Sequence, residues 1–102
     1  MLELRPNCEG CDIDLPPEST EACICTYECT FCSNCVTGLL NNVCPNCGGG
    51  FSPRPIRPKT AYRVGVSLSQ QPASQVRVNT KYTQVEITEF SNLLKTTKPE
   101  ER

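Results

Sequence analysis

The sequence predicts a small metal-stabilised α+β domain, made of a short β-hairpin and one short helix, followed by a largely flexible tail. All nine cysteines of the 102-residue chain lie between Cys8 and Cys47, mostly in Cys-x2-Cys pairs. Apolar residues are few in the same half, and about 50 residues bury too little surface to fold securely without a cross-link. We therefore place a metal-binding domain at residues 1–52 and a basic, Pro-rich linker with a mostly disordered or weakly β tail at residues 53–102.

Metal is the expected cross-link, in preference to disulfides. Residues 1–7 lack the basic and apolar stretches of a signal peptide, and no apolar run reaches the length of a membrane span. We expect a cytoplasmic chain without membrane contact, whose thiols stay reduced. In that compartment paired cysteines indicate a metal site. The odd number of cysteines also argues against a closed set of disulfides.

The secondary structure of the first half follows from local patterns. Residues 22–31 are rich in β-formers and alternate in part, which predicts a β-hairpin. Val36, Leu39 and Leu40 then recur at i, i+3 and i+4, which predicts a short helix that begins at the Cys32/Cys35 pair. Ser33 or Asn34 is expected to cap this helix. The Asn41-Asn42 dipeptide is expected to end it.

Eight of the cysteines fall into four pairs, namely Cys8/Cys11, Cys25/Cys29, Cys32/Cys35 and Cys44/Cys47. Eight thiolates make two tetrahedral zinc sites, each closed by four ligands. We expect two Zn²⁺ in structural sites and no enzymatic activity. The chain has no histidine, which excludes a Cys–His nucleophile and disfavours a catalytic zinc. Cys23 is left over, as a spare or sensing thiol, or as a substitute for Cys25.

The cysteine spacing resembles that of the RING finger, a treble-clef type of zinc domain. Cys29-Thr30-Phe31-Cys32 and Cys35-Val36 look like the RING stretch in which a ligand precedes x-Phe-Cys-x2-Cys-aliphatic, and the helix and last pair follow as in that family. The resemblance implies alternate pairing. Site one would then be Cys8, Cys11, Cys32 and Cys35, and site two Cys25, Cys29, Cys44 and Cys47.

Residues 3–58 resemble more closely a family of small bacterial cysteine-rich proteins with no assigned function. The family opens with Leu-Glu-Leu-Arg-Pro-Asn-Cys-Glu, here Leu2 to Glu9, and continues through Cys-Pro-Asn-Cys-Gly-Gly, here Cys44 to Gly49. It ends near an Arg-Pro-rich stretch like Arg54–Pro58. The resemblance implies no biochemical role.

The two halves of the chain carry opposite charge. Residues 1–50 contain one basic and seven acidic residues, giving −6, whereas residues 51–102 contain nine basic and four acidic residues, giving +5. We expect Arg54–Lys59 to be a solvated basic linker. Alternation at residues 62–68 and 76–82 suggests weak strands, and Phe90, Leu93 and Leu94 suggest one helical turn. The tail (residues 53–102) is expected to be mobile unless it docks on the head (residues 1–52) or on a partner.

These features favour a non-enzymatic scaffold for contact with an unidentified protein, presented by residues 1–52. The expected exposed apolar positions are Leu2, Leu4, Ile13, Leu15 and Val43. A nucleic-acid-associated protein that uses the basic tail is the alternative, and a zinc or redox sensor is a third reading. A ubiquitin-ligase-like RING is disfavoured, because Gly10 precedes the second ligand, Gly48 follows the last, and tryptophan is absent.

Overall fold

The computed structural model describes residues 1–102 as an α+β fold. The head contains strand β1 (Ala22–Ile24), strand β2 (Thr30–Cys32), helix α1 (Ser33–Gly38) and strand β3 (Ser52–Pro53). The tail contains helix α2 (Gln84–Leu94) and a 3₁₀ turn (Pro99–Glu101). The predicted fold class, a small α+β domain with cysteine clusters that could hold metal, is confirmed. Neither helix has the length and apolar character that a membrane crossing requires.

The sheet has three antiparallel strands in the order β2-β1-β3. Strands β1 and β2 form the predicted hairpin, in which Cys23 lies opposite Phe31. The connecting turn passes through Glu28, whose φ of 66° is left-handed. Strand β3 pairs Ser52 with Ile24. Its two residues are too few to carry an alternating pattern, and no strand was predicted there.

Helix α1 begins directly at the third cysteine pair, as predicted, but its ends differ from the prediction. Cys32 is the N-cap residue and no side chain caps the helix, so the expectation of a Ser33 or Asn34 cap is wrong. The helix ends at Gly38. Asn41 and Asn42 come later, in a turn with φ values of 50° and 59°, a region that asparagine tolerates better than most residues.

Phe31 is the centre of the core. Its side chain is fully buried and meets the Phe51 ring edge-on, with centroids 5.5 Å apart. Leu4, Leu15 and Val43 are also buried, so the expectation that they are exposed is wrong. Leu2 is only partly buried. Ile13, by contrast, is 55% exposed, as expected.

Helix α2 was not predicted, since the tail was expected to be mostly disordered or weakly β. Thr83 and Glu86 form a reciprocal capping box, in which each side chain accepts the other residue's backbone N–H. Ile87 and Ser91 are buried one turn apart and face the head. The expectation is therefore wrong for residues 84–94, because tertiary packing stabilises a helix where only one turn was expected. The domain division at residue 52 stays a prediction.

The basic tail docks on the acidic head upstream of α2. The Arg77 guanidinium contacts the carboxylates of Asp12 at 3.0 Å and Asp14 at 2.7 Å. Asn7 is fully buried and exchanges two hydrogen bonds with the backbone of Val78, at 3.0 and 3.1 Å. The opposite charges of the two halves are thus partly matched within one molecule.

The Arg-Pro segment is structural, and the expectation of a solvated linker is wrong for its two arginines. Arg54 is only 4% exposed. Its guanidinium donates to three backbone carbonyl groups, those of Arg5, Leu15 and Pro16. Arg57 donates to two more, those of Leu2 and Gln71. Of these five carbonyl groups only that of Pro16 has a backbone donor, the Ser19 N–H, so the two arginines satisfy four that irregular backbone leaves without a partner.

Candidate metal centres

The first cysteine group joins the first and third pairs of the sequence. The sulfurs of Cys8, Cys11, Cys32 and Cys35 all lie within 4.8 Å of one another. Cys8 and Cys11 come from a turn near the N terminus, whereas Cys32 ends strand β2 and Cys35 lies in α1. A Cβ on Gly10 would lie 3.2 Å from the Cys35 sulfur, so glycine lets the two pairs approach.

The spacing of these sulfurs fits a tetrahedral metal ion. A Zn–S bond of about 2.3 Å places the corners of a tetrahedron about 3.8 Å apart. The sulfurs of Cys11 and Cys32 are 3.7 Å apart. A disulfide would instead bring two sulfurs to about 2.05 Å, and all nine cysteines are free. The four residues therefore suit a closed tetrathiolate site, with no position left open for water.

The second group lies around the last pair. The sulfurs of Cys25, Cys44 and Cys47 lie within 4.8 Å of one another. Cys29, the predicted fourth member, is not part of this mutually close set, but its backbone carbonyl accepts from the Cys25 N–H at 3.2 Å. The structure thus brings seven of the eight predicted sulfurs into two groups and places the eighth beside its group. Their roles as ligands remain a proposal.

Backbone N–H groups point at sulfurs in both groups. Gly10 and Cys11 donate to the Cys8 sulfur, at 3.4 and 3.5 Å. Tyr27 donates to the Cys25 sulfur and Gly49 to the Cys47 sulfur, each at 3.4 Å. Such bonds stabilise a thiolate, because they place partial positive charge at the sulfur. The turns therefore favour the charged form that binds metal.

Burial and crowding of the thiols disfavour the thiolate form at several cysteines. Burial raises the pKa of Cys44, and the charges of Cys25 and Cys29 raise it further. Burial also raises the pKa of Cys35, as does the charge of Cys8. At Cys25 burial again acts upward, but hydrogen bonds from Tyr27 and Cys29 outweigh it and the pKa is lowered. Several thiolates can share so small a volume only with a compensating cation, which a divalent metal supplies.

Cys23 belongs to neither group. It lies in the middle of β1, opposite Phe31 and Pro53, and is partly buried against the core. Burial raises the pKa of its thiol, and the neighbouring charge of Glu21 adds to the effect. Cys23 is therefore placed as a spare thiol would be. Cys25, and not Cys23, lies with Cys44 and Cys47 in the second group.

Two polar side chains near the groups were missed by the sequence analysis. Glu9 is 4% exposed, although it lies inside the first cysteine pair. Its carboxylate accepts hydrogen bonds from Thr30 N–H at 2.9 Å, Arg5 at 3.1 Å and Asn46 at 3.2 Å. Asn46, inside the last pair, also donates to the Cys29 sulfur at 3.3 Å. Each of these residues lies between two paired cysteines, and this position was the one sequence feature that could have indicated a role beside the cysteine groups.

The fold and the two groups together define a small cysteine-rich α+β protein with two clusters that could hold metal ions. The chain belongs to the family described as "Protein of unknown function (DUF1272)", whose model matches residues 1–57. The predicted membership of a cysteine-rich family without an assigned function is confirmed.

A relative from Rhizobium meliloti (strain 1021), described as an uncharacterised protein, is similar to most of the chain. It is 54% identical over 78 residues, which cover 76% of this chain and 86% of the relative. No solved structure matches the chain. The similarity to this relative extends beyond the 57 residues that the family model matches, so part of the tail is shared as well.

Proposed function

We propose that this protein binds two zinc ions in closed, structural tetrathiolate sites and acts as a non-enzymatic scaffold for protein–protein contact. The observation that carries the proposal is the first group, in which four cysteine sulfurs lie within 4.8 Å and one pair is 3.7 Å apart. A tetrahedral set of four sulfurs suits zinc or iron–sulfur clusters. Zinc is favoured, because a single ion fits the 3.7 Å separation of the Cys11 and Cys32 sulfurs.

The proposed zinc fold is a RING-like, treble-clef cross-brace. Its support is the alternation of the pairs, since the first group takes the first and third pairs and the second group takes the last pair with Cys25. Each ion would fix elements distant in sequence, which a head with so small a core requires. The cytoplasm is the proposed compartment, because nine free thiols need a reducing environment.

The proposed contact surface is the exposed loop, defined as residues 56–66. Tyr62 is 82% exposed and Val64 fully so, while Ile56 and Val66 are at least half exposed. Lys59 and Arg63 lie on the same loop, and neither forms an ion pair. Exposed tyrosine and arginine beside aliphatic side chains are typical of interface centres. A protein with an apolar groove and an acidic rim would suit this loop.

The exposed loop is held in shape by its own base. Leu68 N–H donates to Pro58 at 2.9 Å, and the Gln71 side chain donates to Gly65 at 2.8 Å. Ser67, at the end of the loop, is 1% exposed. A loop ordered in this way loses less conformational entropy on binding than a free tail, which supports a role in recognition.

The nucleic-acid alternative has less support. Four of the nine basic residues of the tail donate to carbonyl or carboxylate oxygens of the same chain, namely Arg54, Arg57, Arg77 and Arg102. The head also keeps an acidic surface. Binding to RNA or DNA that weakens steeply with salt would favour the alternative over protein contact.

Metal analysis tests the zinc proposal. We expect about two zinc ions per chain, from eight thiolates in closed sites. Removal of zinc with a chelator should unfold residues 8–50, measured as loss of amide dispersion in NMR spectra. A chain that stays folded without metal would contradict the metal-built fold. A chain that binds only one zinc ion when zinc is in excess would contradict the cross-brace.

A paired substitution tests the contact surface. The double variant Tyr62→Ser/Val64→Ser should lose the partner captured by the tagged wild-type protein, while its unfolding transition is unchanged. The control is Val85→Ser/Leu93→Ser, which alters two exposed apolar residues of α2 (65% and 73% exposed). Equal loss in both variants would mean that general surface apolarity, and not the exposed loop, determines binding.

A further inference from the structure

The two cysteine groups are unequal. In the first, all four predicted sulfurs are mutually close; in the second only three are, and Cys29 lies outside the set. Cys29 directly precedes β2, across the hairpin turn from Cys25, whereas Cys44 and Cys47 belong to a second turn at residues 44–47. A tetrahedral ion in the second group would therefore bind three sulfurs in place and one that must adjust.

The side chain of Asn46 connects the offset sulfur to the rest of the molecule. Its amide nitrogen lies 3.3 Å from the Cys29 sulfur and 3.2 Å from a carboxylate oxygen of Glu9. Asn46 lies between Cys44 and Cys47, so this contact tethers Cys29 to its own group.

Glu9 holds the other end of the connection in a fixed position. It is 4% exposed, and its carboxylate also accepts from the Thr30 N–H and from Arg5. Because Glu9 follows Cys8 directly, an unbroken set of side-chain contacts runs from the first cysteine pair to the Cys29 sulfur. Outer partners of this kind orient metal ligands, and their removal typically lowers metal affinity about 10–100-fold.

We propose that the second centre is the exchangeable one, that Cys29 is its weakest ligand, and that Asn46 is the positioning residue that brings Cys29 to the metal. The inference rests on the proposed zinc function. It assigns different roles to the two centres: the first holds the head together permanently, whereas the second can release its ion and yield a one-zinc form of the protein. The Cys25–Cys29 turn and the last cysteine pair would loosen in that form.

The test follows each centre separately in the wild-type chain. The protein is loaded with NMR-active cadmium, and each metal signal is assigned through its couplings to cysteine β-protons. EDTA is then added in steps. We expect the signal coupled to Cys25, Cys44 and Cys47 to disappear first, while the signal coupled to the other four cysteines persists. Simultaneous loss, or earlier loss of the first centre, would overturn the inference.

The role of Asn46 is tested by the rate of zinc release to a chromophoric chelator. In Asn46→Ala one of the two ions should leave roughly tenfold faster or more, and the other at the wild-type rate. Asn34→Ala is the matched control, because Asn34 lies between Cys32 and Cys35, is exposed, and donates no side-chain hydrogen bond. It should leave both rates unchanged. Equal acceleration of both ions in Asn46→Ala would indicate general destabilisation and contradict a positioning role.

The outcomes separate this inference from the proposed function. A chain that binds no metal, or only one ion when zinc is in excess, contradicts the two-site zinc proposal itself. A chain that binds two ions and releases them together is consistent with the zinc proposal but contradicts the inference that the second centre releases its ion first. If Asn46→Ala does not fold, the stepwise EDTA titration of the wild-type chain still decides the order of release.

Discussion

The Ser91 hydroxyl donates a hydrogen bond of 2.9 Å to the backbone carbonyl of Leu40, and both residues are buried. Ser91 lies on α2 in the tail, while Leu40 follows α1 in the head. Asn41 donates to the same hydroxyl at 3.2 Å. Within the head, Val43 N–H donates to the same carbonyl at 3.0 Å, so Ser91 supplies a second donor and joins the tail helix to the head.

Replacing Ser91 by alanine should lower the free energy of unfolding by about 1 kcal/mol, because one hydrogen bond between α2 and the head is lost while the Leu40 carbonyl keeps the Val43 N–H. Urea unfolding at constant zinc measures the change. Asn92→Ala, at the neighbouring exposed position, serves as the control and should shift stability by no more than about 0.5 kcal/mol. Equal stability of both variants would mean that α2 does not dock on the head in solution.

Replacing Arg54 by methionine should be more damaging, at about 2–4 kcal/mol, because the carbonyl groups of Arg5 and Leu15 lose their donor and that of Pro16 loses one of two. The apolar side chain keeps much of the volume but offers no N–H. Lys59→Met changes an exposed cation of the same segment and should be nearly neutral. A stable Arg54→Met variant would show that water can replace the guanidinium.

Gly48 and Gly38 differ in backbone conformation and in the space available for a side chain. Gly48 has a φ of 81°, and a Cβ there would lie 3.1 Å from the Leu94 side chain, whereas a Cβ on Gly38 would meet nothing within 4 Å. Gly48→Ala should destabilise the protein by roughly 1–2 kcal/mol through left-handed backbone strain. Gly38→Ala, within α1, should stabilise it by about 0.5–1 kcal/mol. Thermal unfolding of both variants tests the difference in sign.

The spare cysteine can be distinguished from a ligand by zinc content. Cys23→Ser should keep about two zinc ions, since Cys23 lies in neither group, whereas Cys25→Ser should lose one. Atomic absorption on the purified variants gives the ratio. Loss of zinc from Cys23→Ser alone would exchange the roles of these two residues.

The parts of the structure that sequence reasoning predicted are local ones. The hairpin needs only neighbouring β-formers, and the helix needs only the spacing of Val36, Leu39 and Leu40. The alternate grouping of the pairs came from the resemblance to the RING finger, and the positions of the sulfurs agree with it for seven of eight residues. Cys29 is the exception, and its sulfur accepts from Asn46, a contact across 17 residues that the cysteine spacing does not reveal.

The parts that were missed depend on partners distant in sequence. Arg54 and Glu9 are buried because backbone carbonyl and amide groups elsewhere in the chain need them, and neither residue type predicts burial by itself. Helix α2 did carry signals. Thr83 and Glu86 have capping-box spacing, and Ile87, Phe90, Ser91 and Leu94 share one helical face. The alternating valines of the tail predicted weak strands instead, and the two helix signals were overlooked.

The interleaving of the cysteine pairs has a consequence for how the chain assembles during synthesis. The first group is complete once Cys35 has left the ribosome, whereas the second requires Cys47. The docking segments around Val78 and Ser91 emerge later still. The order of the residues thus permits assembly from the N terminus onward, with each newly made segment closing over a group that already exists.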